Sequence, residues 1–375
     1  MTDLPEAPED AIAAPAPDPV AEFQAALAQT IRAPLVTYGL IAVNVLIFGL
    51  MIASGVGFME PSATDILAWG GSFAPRTAAG EWWRLLSSNY VHIGAFHLLM
   101  NLAVLFDIGP FMERSLGHVG FLALYTASGI AGSVLSLWVH SNIVCAGASG
   151  AIFGLYGGLA GLLLRNPTVI PAALLKRLGK GAAVFVGFNL LNSFLPNVDM
   201  AGHVGGLLGG FAIARWLDLE LTGDRARVTR RTLILSGGVV GIVFGAATLV
   251  KPGVDFDKEI ATFTAIENKA LARFQALVEG VKGGTITDAQ AAQALAAEIL
   301  PPWRSERARL GELNLSPGKQ RVAMDTLLVY IDAREAHWTA LEELLRTQDK
   351  SLLEGMAGRV KAVEAALEKV KQLAK

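Results

Sequence analysis

Between Leu35 and Val250 the chain runs in long apolar stretches divided by short polar or basic connections. A helix needs about 20 mainly apolar residues to cross the hydrocarbon layer of a bilayer. Spans are expected near 36–54, 91–111, 119–139, 148–164, 182–195, 201–217 and 232–250. The fourth to sixth are short or interrupted by glycine and polar residues. The pattern predicts an all-α polytopic membrane protein. Residues 1–34 differ: they are rich in Ala and Pro and carry Asp3, Glu6, Glu9, Asp10, Asp18 and Glu22. Such a segment has too little apolar surface to offset its ordering entropy, and it lacks the basic start and apolar core of a signal peptide. It is read as a cytoplasmic tail, mostly disordered, with a short helix around 20–30. Beyond Val250 the pattern becomes amphipathic, with helices expected over 256–282, 287–300, 317–347 and 350–374 and a break at Pro301-Pro302. In the last run Val360, Val363, Leu367 and Val370 form an apolar stripe, the spacing of one helix face.

The division that follows is a tail (1–34), a membrane core (35–217), a basic loop with a seventh span (218–250) and a soluble helical domain (251–375). Composition agrees with a membrane protein: 53% of residues are hydrophobic and 17% charged, against about 25% charged in soluble domains. A net charge of -2 argues against a nucleic-acid binder. The one cysteine, Cys145, allows no internal disulfide and is read as a packing residue. Basic residues set the orientation. Arg114 follows the second span. Arg165, Lys176, Arg177 and Lys180 follow the fourth, and Arg215, Arg225, Arg227, Arg230 and Arg231 follow the sixth. The opposite connections hold only Arg76 and Arg84, with none in 140–147 or 195–200. The N-terminus is therefore expected in the cytoplasm and the C-terminal domain outside it, in an integral protein of the plasma membrane, taken as a bacterial inner membrane. In the long first outer connection, Trp82-Trp83-Arg84 fits either the headgroup boundary, with a snorkelling guanidinium, or a folded re-entrant loop.

Candidate chemistry lies inside the spans, where ionisable residues are costly. Cys145-Ala146-Gly147-Ala148-Ser149-Gly150 opens the fourth span and sets one serine among small residues. In the second span His97 and Asn101 are four apart and share a helix face; His92 lies further out, in an anchoring or water-binding place. In the sixth, His203 is embedded in a glycine repeat. Gly202, Gly206 and Gly210 recur every four residues, as do Gly150, Gly154 and Gly158 in the fourth span. Small residues at that spacing let two helices approach closely. If these two helices pair, Ser149 and His203 come within hydrogen-bond reach. The alternatives are a packing seam for the glycines and an interhelical hydrogen-bond pair for His97 and Asn101.

Gly147-Ala148-Ser149-Gly150, the His92/His97/Asn101 set, Ala201-Gly202-His203-Val204-Gly205-Gly206 and Trp83-Arg84 together resemble rhomboid intramembrane serine proteases, over about 35–217. The resemblance implies a six-helix rhomboid core, here with a seventh C-terminal transmembrane helix and a soluble helical tail domain added. It implies Ser149 as nucleophile and His203 as general base. His97, Asn101 and the Ser149 N–H would form an oxyanion hole, with His92, Phe153 and Gly147 in support. Phe153 stands where many members carry an aromatic, often Tyr, against the catalytic histidine. Asp199, four residues before His203, is read as an outer-loop residue rather than a third catalytic member. No metal or cofactor is expected. The implied partners are the lipid bilayer and transmembrane protein substrates; the tail domain either closes on itself or binds a protein partner. Two other classes compete with this one. Intact Ser149, His203, His97 and Asn101 argue against an inactive rhomboid-like protein that escorts membrane proteins. A transporter is disfavoured because the chain has no repeated half.

Overall fold

The computed structural model describes residues 18–192, 199–217, 219, 224–250, 253–315 and 318–373. Of the tail expected over 1–34, residues 1–17 lie outside the described residues, as do 195–198 of the connection expected at 195–200. The chain forms two compact units, up to Gly253 and from Val254, and the described residues form helices and turns with a single two-residue β-bridge.

In the first unit, α1 (Pro19–Thr30) starts at Asp18, whose side chain caps the Val20 N–H. Its Phe23 and Leu27 are buried, and Phe23 packs on Phe111. The next elements are α2 (Leu35–Ala53), three short helices in the first connection (α3, Ala63–Ala68; α4, Ala74–Ala78; α5, Arg84–Ser87), α6 (Ala95–Leu116) and α7 (His118–Val139). They are followed by α8 (Ser149–Arg165), α9 (Ala172–Asn192), α10 (Met200–Ala214) and α11 (Arg225–Ala247). Helix α2, α6, α7 and residues Ala226–Ala247 of α11 are long and apolar enough to cross a membrane; α8 and α10 are shorter apolar helices. The chain is an integral, multi-pass membrane protein.

Two buried charges hold this unit together. Helix α2 begins after Pro34 with no side-chain cap of its own. Its free N–H groups at Val36 and Thr37 instead donate to Glu113 of α6, at 2.9 and 2.7 Å. The Thr37 hydroxyl and His118 Nδ1 complete the shell of this fully buried carboxylate. A buried carboxylate with four partners avoids the penalty of an unpaired one. Arg84 plays the matching part in the first connection. It is 4% exposed, donates to the carbonyls of Leu67 (2.7 Å) and Gly71 (3.0 Å), and pairs with Glu81 at 2.5 Å. The headgroup-snorkelling reading of Arg84 is therefore corrected: the guanidinium pins a folded loop. Arg84→Ala leaves two carbonyls without their donor, and each such loss costs about 1–3 kcal/mol. We expect about 2 kcal/mol lower stability in detergent-solubilised unfolding, with Arg84→Lys in between.

Several boundaries differ from expectation. Helix α11 starts at Arg225, seven residues before the expected 232, so Arg225, Arg227, Arg230 and Arg231 lie on it, and α6 runs on to Leu116. Helix α6 starts at Ala95 because Gly94 has φ +85° and Ala95 N–H donates to the Phe58 carbonyl, so His92 sits in the loop before it. Helix α9 starts ten residues early, where Pro171 accepts from Leu174 N–H. Lys176, Arg177 and Lys180 thus lie on a helix rather than in a connection.

The second unit comprises α12 (Phe256–Lys282), α13 (Asp288–Ala294), a π-helical turn (Leu295–Ile299), α14 (Leu300–Gly311), α15 (Lys319–Thr347) and α16 (Leu353–Leu373). Pro301-Pro302 does not break the pattern. The prolines fall in the first turn of α14, where the missing N–H would have no helical acceptor anyway. The core is aromatic: Trp303 meets Trp338 edge-on at 4.9 Å and donates its indole N–H to the Ile331 carbonyl.

Candidate active site

The chain reaches Ser149 along a short extended path. Ser72 and Cys145 exchange two backbone hydrogen bonds, of 2.8 and 2.9 Å, and Gly147 N–H donates to the Ser88 carbonyl. The connection between α2 and α6 therefore holds the extended segment that leads into α8. Gly147 has φ +132°, and a Cβ there would lie 2.5 Å from His97 Cε1. Both facts require glycine. Ser149 is the first residue of α8 and 8% exposed. Its N–H belongs to the first helical turn, where such groups have no intrahelical acceptor and carry partial positive charge.

Helices α8 and α10 touch backbone to backbone. A Cβ on Gly206 would overlap the Gly150 carbonyl, one on Gly210 the Gly154 carbonyl, and one on Gly157 the Leu207 carbonyl. Helix α7 closes the group: a Cβ on Gly132 would come within 2.6 Å of the Gly202 carbonyl oxygen, and one on Gly205 within 2.7 Å of that of Ala131. Fixed this way, the fourth residue of α10 faces the first of α8, and His203 Nε2 lies 2.9 Å from Ser149 Oγ.

Nothing hydrogen-bonds the other side of that imidazole: Nδ1 of His203 is buried with no partner among the described residues. Asp199 stands just before α10 as its N-cap, accepting from Gly202 N–H at 2.9 Å, a loop-end position rather than a bond to the imidazole. The ring is instead held by its face. Phe153, one turn after Ser149, stacks on His203 with centroids 4.4 Å apart and planes 21° off parallel. His97 Nδ1 lies 3.4 Å from Ile93 N–H as acceptor, so its neutral ring carries the proton on Nε2, on the side of Gly147. Asn101 gives one amide hydrogen to the His97 carbonyl at 2.9 Å, and its Oδ1 is unpartnered. His92 is fully buried, with its ring 5.4 Å from that of His97 and neither nitrogen in a hydrogen bond.

Beside the pair is a cavity of about 40 Å³, lined by Ser72, Ser88, Asn89, Ser133, Cys145, Ser149, Asp199 and His203 together with several glycines. That is room for at least one water, and the lining is polar enough to hold it. Cys145 is buried and accepts from the Ser136 hydroxyl at 3.2 Å, as suits a packing residue. Among the described residues no group of three or more His, Cys, Asp or Glu could hold a metal. Sequence reasoning missed the Ser72–Cys145 bridge and Phe185 of α9, which is 4.8 Å from Phe153. The bridge is made by backbone groups and leaves no pattern to read, whereas an aromatic within a short apolar span is a signal that could have found Phe185.

A family model, the Rhomboid domain, matches residues 79–219. Rhomboid protease GluP of Bacillus subtilis (strain 168) is 36% identical over 212 residues, which is 56% of this chain and 40% of GluP. RHOMBOID-like protein 4 of Arabidopsis thaliana is 40% identical over 157 residues, 41% of this chain and 39% of that protein. Rhomboid-like protease 2 of Toxoplasma gondii is 30% identical over 231 residues, 57% of this chain and 77% of the protease. The chain thus spans about two fifths of the length of the first two relatives and over three quarters of the third.

Proposed function

The chain belongs to the rhomboid family, and we propose that it is an intramembrane serine endopeptidase that cuts transmembrane segments of other membrane proteins. The observation that carries this reading is the 2.9 Å hydrogen bond between Ser149 Oγ and His203 Nε2. A serine becomes a nucleophile when a neighbouring base takes its proton. His203 accepts that proton as Ser149 Oγ attacks the scissile carbonyl carbon, and charge develops on the carbonyl oxygen. The Ser149 N–H, His97 Nε2–H and the second Asn101 amide hydrogen are the donors for that charge. His203 then protonates the leaving amine, leaving an acyl-Ser149. A water from the adjacent cavity, deprotonated by His203, attacks the ester and restores the serine.

The setting suits a membrane substrate. Helices α8 and α10 have 17 and 15 residues, or about 26 and 23 Å at 1.5 Å per residue. Both fall short of the roughly 30 Å apolar layer, so Ser149 and His203 at their ends lie below its outer boundary. A spanning helix satisfies its own backbone, so a substrate must unwind to present an extended peptide; small and helix-weakening residues at the cut are expected. In this reading α2 and α6 to α11 are seven spans, with the N-terminus in the cytoplasm, in a bacterial inner membrane. The core is 35–217, and the helical domain after 250 lies outside, where it has a surface for a protein partner.

The test is cleavage of a model transmembrane substrate by the purified protein, compared with Ser149→Ala and His203→Ala, together with fluorophosphonate labelling of Ser149. Wild-type rates in both variants would sink the proposal. For the oxyanion donors, His97→Ala and Asn101→Ala should each lower kcat about 10²–10³-fold with little change in KM, the usual cost of one such donor. An equal rise in KM would point instead to substrate binding.

A further inference from the structure

The proposed dyad lacks the third group that ordinarily orients the base. Where a carboxylate bonds the second imidazole nitrogen, it fixes both the tautomer and the ring angle. Here His203 Nδ1 has no partner among the described residues, and Asp199 is spent on capping Gly202 N–H. A ring tied only through Nε2 is free to swing about its side-chain torsions unless packing stops it. Phe153 covers its face at 4.4 Å. A phenylalanine on α8 is itself held only as well as the rest of its ring is packed.

One such neighbour comes from α9. Phe185 is 2% exposed, and its ring lies 4.8 Å from Phe153 and 6.0 Å from Tyr156. The three rings His203, Phe153 and Phe185 thus form a continuous series across α10, α8 and α9. Further anchoring of α9 lies on both sides of Phe185: Asn189 is buried one turn later. Leu174 and Leu178 are buried in the core, Arg177 faces Asp107 of α6 at 3.7 Å, and a Cβ on Gly181 would lie 2.7 Å from an Asp107 carboxylate oxygen.

We propose that Phe185 is a positioning residue for the reaction: it wedges Phe153 against His203 and so stands in for the missing third member of the catalytic set. The inference rests on the serine–histidine reading of the site.

The experiment measures kcat and KM for a model transmembrane substrate in Phe185→Leu, Phe185→Tyr and Leu178→Ala, each in the native and in the Phe153→Ala background, with thermal unfolding recorded for every variant. Phe185→Leu keeps most of the apolar volume and removes the ring. It should lower kcat about tenfold, the scale of one aromatic pair converted to rate, with KM within about twofold. Phe185→Tyr should recover most of the loss. In the Phe153→Ala background Phe185→Leu should change nothing further, since contacts that act in series are non-additive. Leu178→Ala should lower the melting temperature but leave kcat within about twofold. A Phe185→Leu effect confined to KM, an equal kcat loss in Leu178→Ala, or full additivity with Phe153→Ala would each overturn the proposal. Ser149→Ala is the separate check: if it still cleaves, the dyad itself is wrong, whatever Phe185 does.

Discussion

Ser149→Ala and His203→Ala are each expected to lower kcat by about 10⁴-fold or more, and the double variant to be no slower than the slower single one. The expectation comes from how the two side chains share one event. In the proposed mechanism, proton removal from Oγ and attack by Oγ are the same step, so losing either partner loses the whole nucleophilic route. What survives is the contribution of binding and of the oxyanion donors, typically about 10³–10⁴-fold over water. His203 Nδ1 has no partner among the described residues, so in the proposed mechanism the described residues offer no third member to share the base's role. Asp199→Asn should accordingly leave kcat within about threefold: an Asn side chain also caps a helix N-terminus well. Multiplicative losses in the double variant would show the two residues acting in separate steps, as would a catalytic fall for Asp199→Asn as deep as that of His203→Ala. Either result would require a different assignment of the base.

Much of this arrangement could be read from the sequence because membranes limit the choices. Apolar runs mark α2, α7 and α11 to within a few residues at most ends, since a bilayer tolerates little but helices. The two glycine repeats marked surfaces made for close approach, and in the structure those of α8 and α10 meet each other. The repeat itself could not name its partner; contact is decided by the whole bundle, including α7, whose Gly132 and Ala131 border the same seam. Less legible were features made by backbone groups. The start of α6 depends on a positive φ at Gly94, and the strand before Ser149 depends on a bridge to Ser72. Arg84 looked like a surface cation because its acceptors are carbonyls 13 and 17 residues away in the chain. Pro301-Pro302 looked like a stop because a proline pair within a helix and one at its first turn are identical in sequence; only the π-helical turn before them separates the cases.

Gly206→Val should be among the most damaging single substitutions in the membrane core, lowering stability by about 4 kcal/mol or more and abolishing cleavage. Overpacking in a tight interior usually costs about 1–3 kcal/mol when side chains can move aside. Here the obstacle is the Gly150 carbonyl, a backbone group that cannot rotate away without breaking the first turn of α8. The helices must separate, and the Gly210–Gly154 contact one turn along must open with them. Gly206→Ala is the more informative variant. A shift of about 1 Å in the position of a reacting group can cost about 10²-fold in rate, and the 2.9 Å bond between Ser149 and His203 lies at the end of this same seam. Cleavage by Gly206→Ala should therefore fall about 10²-fold at temperatures where the protein remains folded. Gly238→Ala on α11 is the control, because a Cβ there meets nothing within 4 Å. It should be neutral or raise stability by up to about 1 kcal/mol, the propensity difference between the two residues in a helix. Equal behaviour of the two alanine variants would mean that the seam does not set the distance between nucleophile and base. A folded Gly206→Ala protein with full activity would mean the same, since the pair would then be held by contacts other than the touching backbones of α8 and α10.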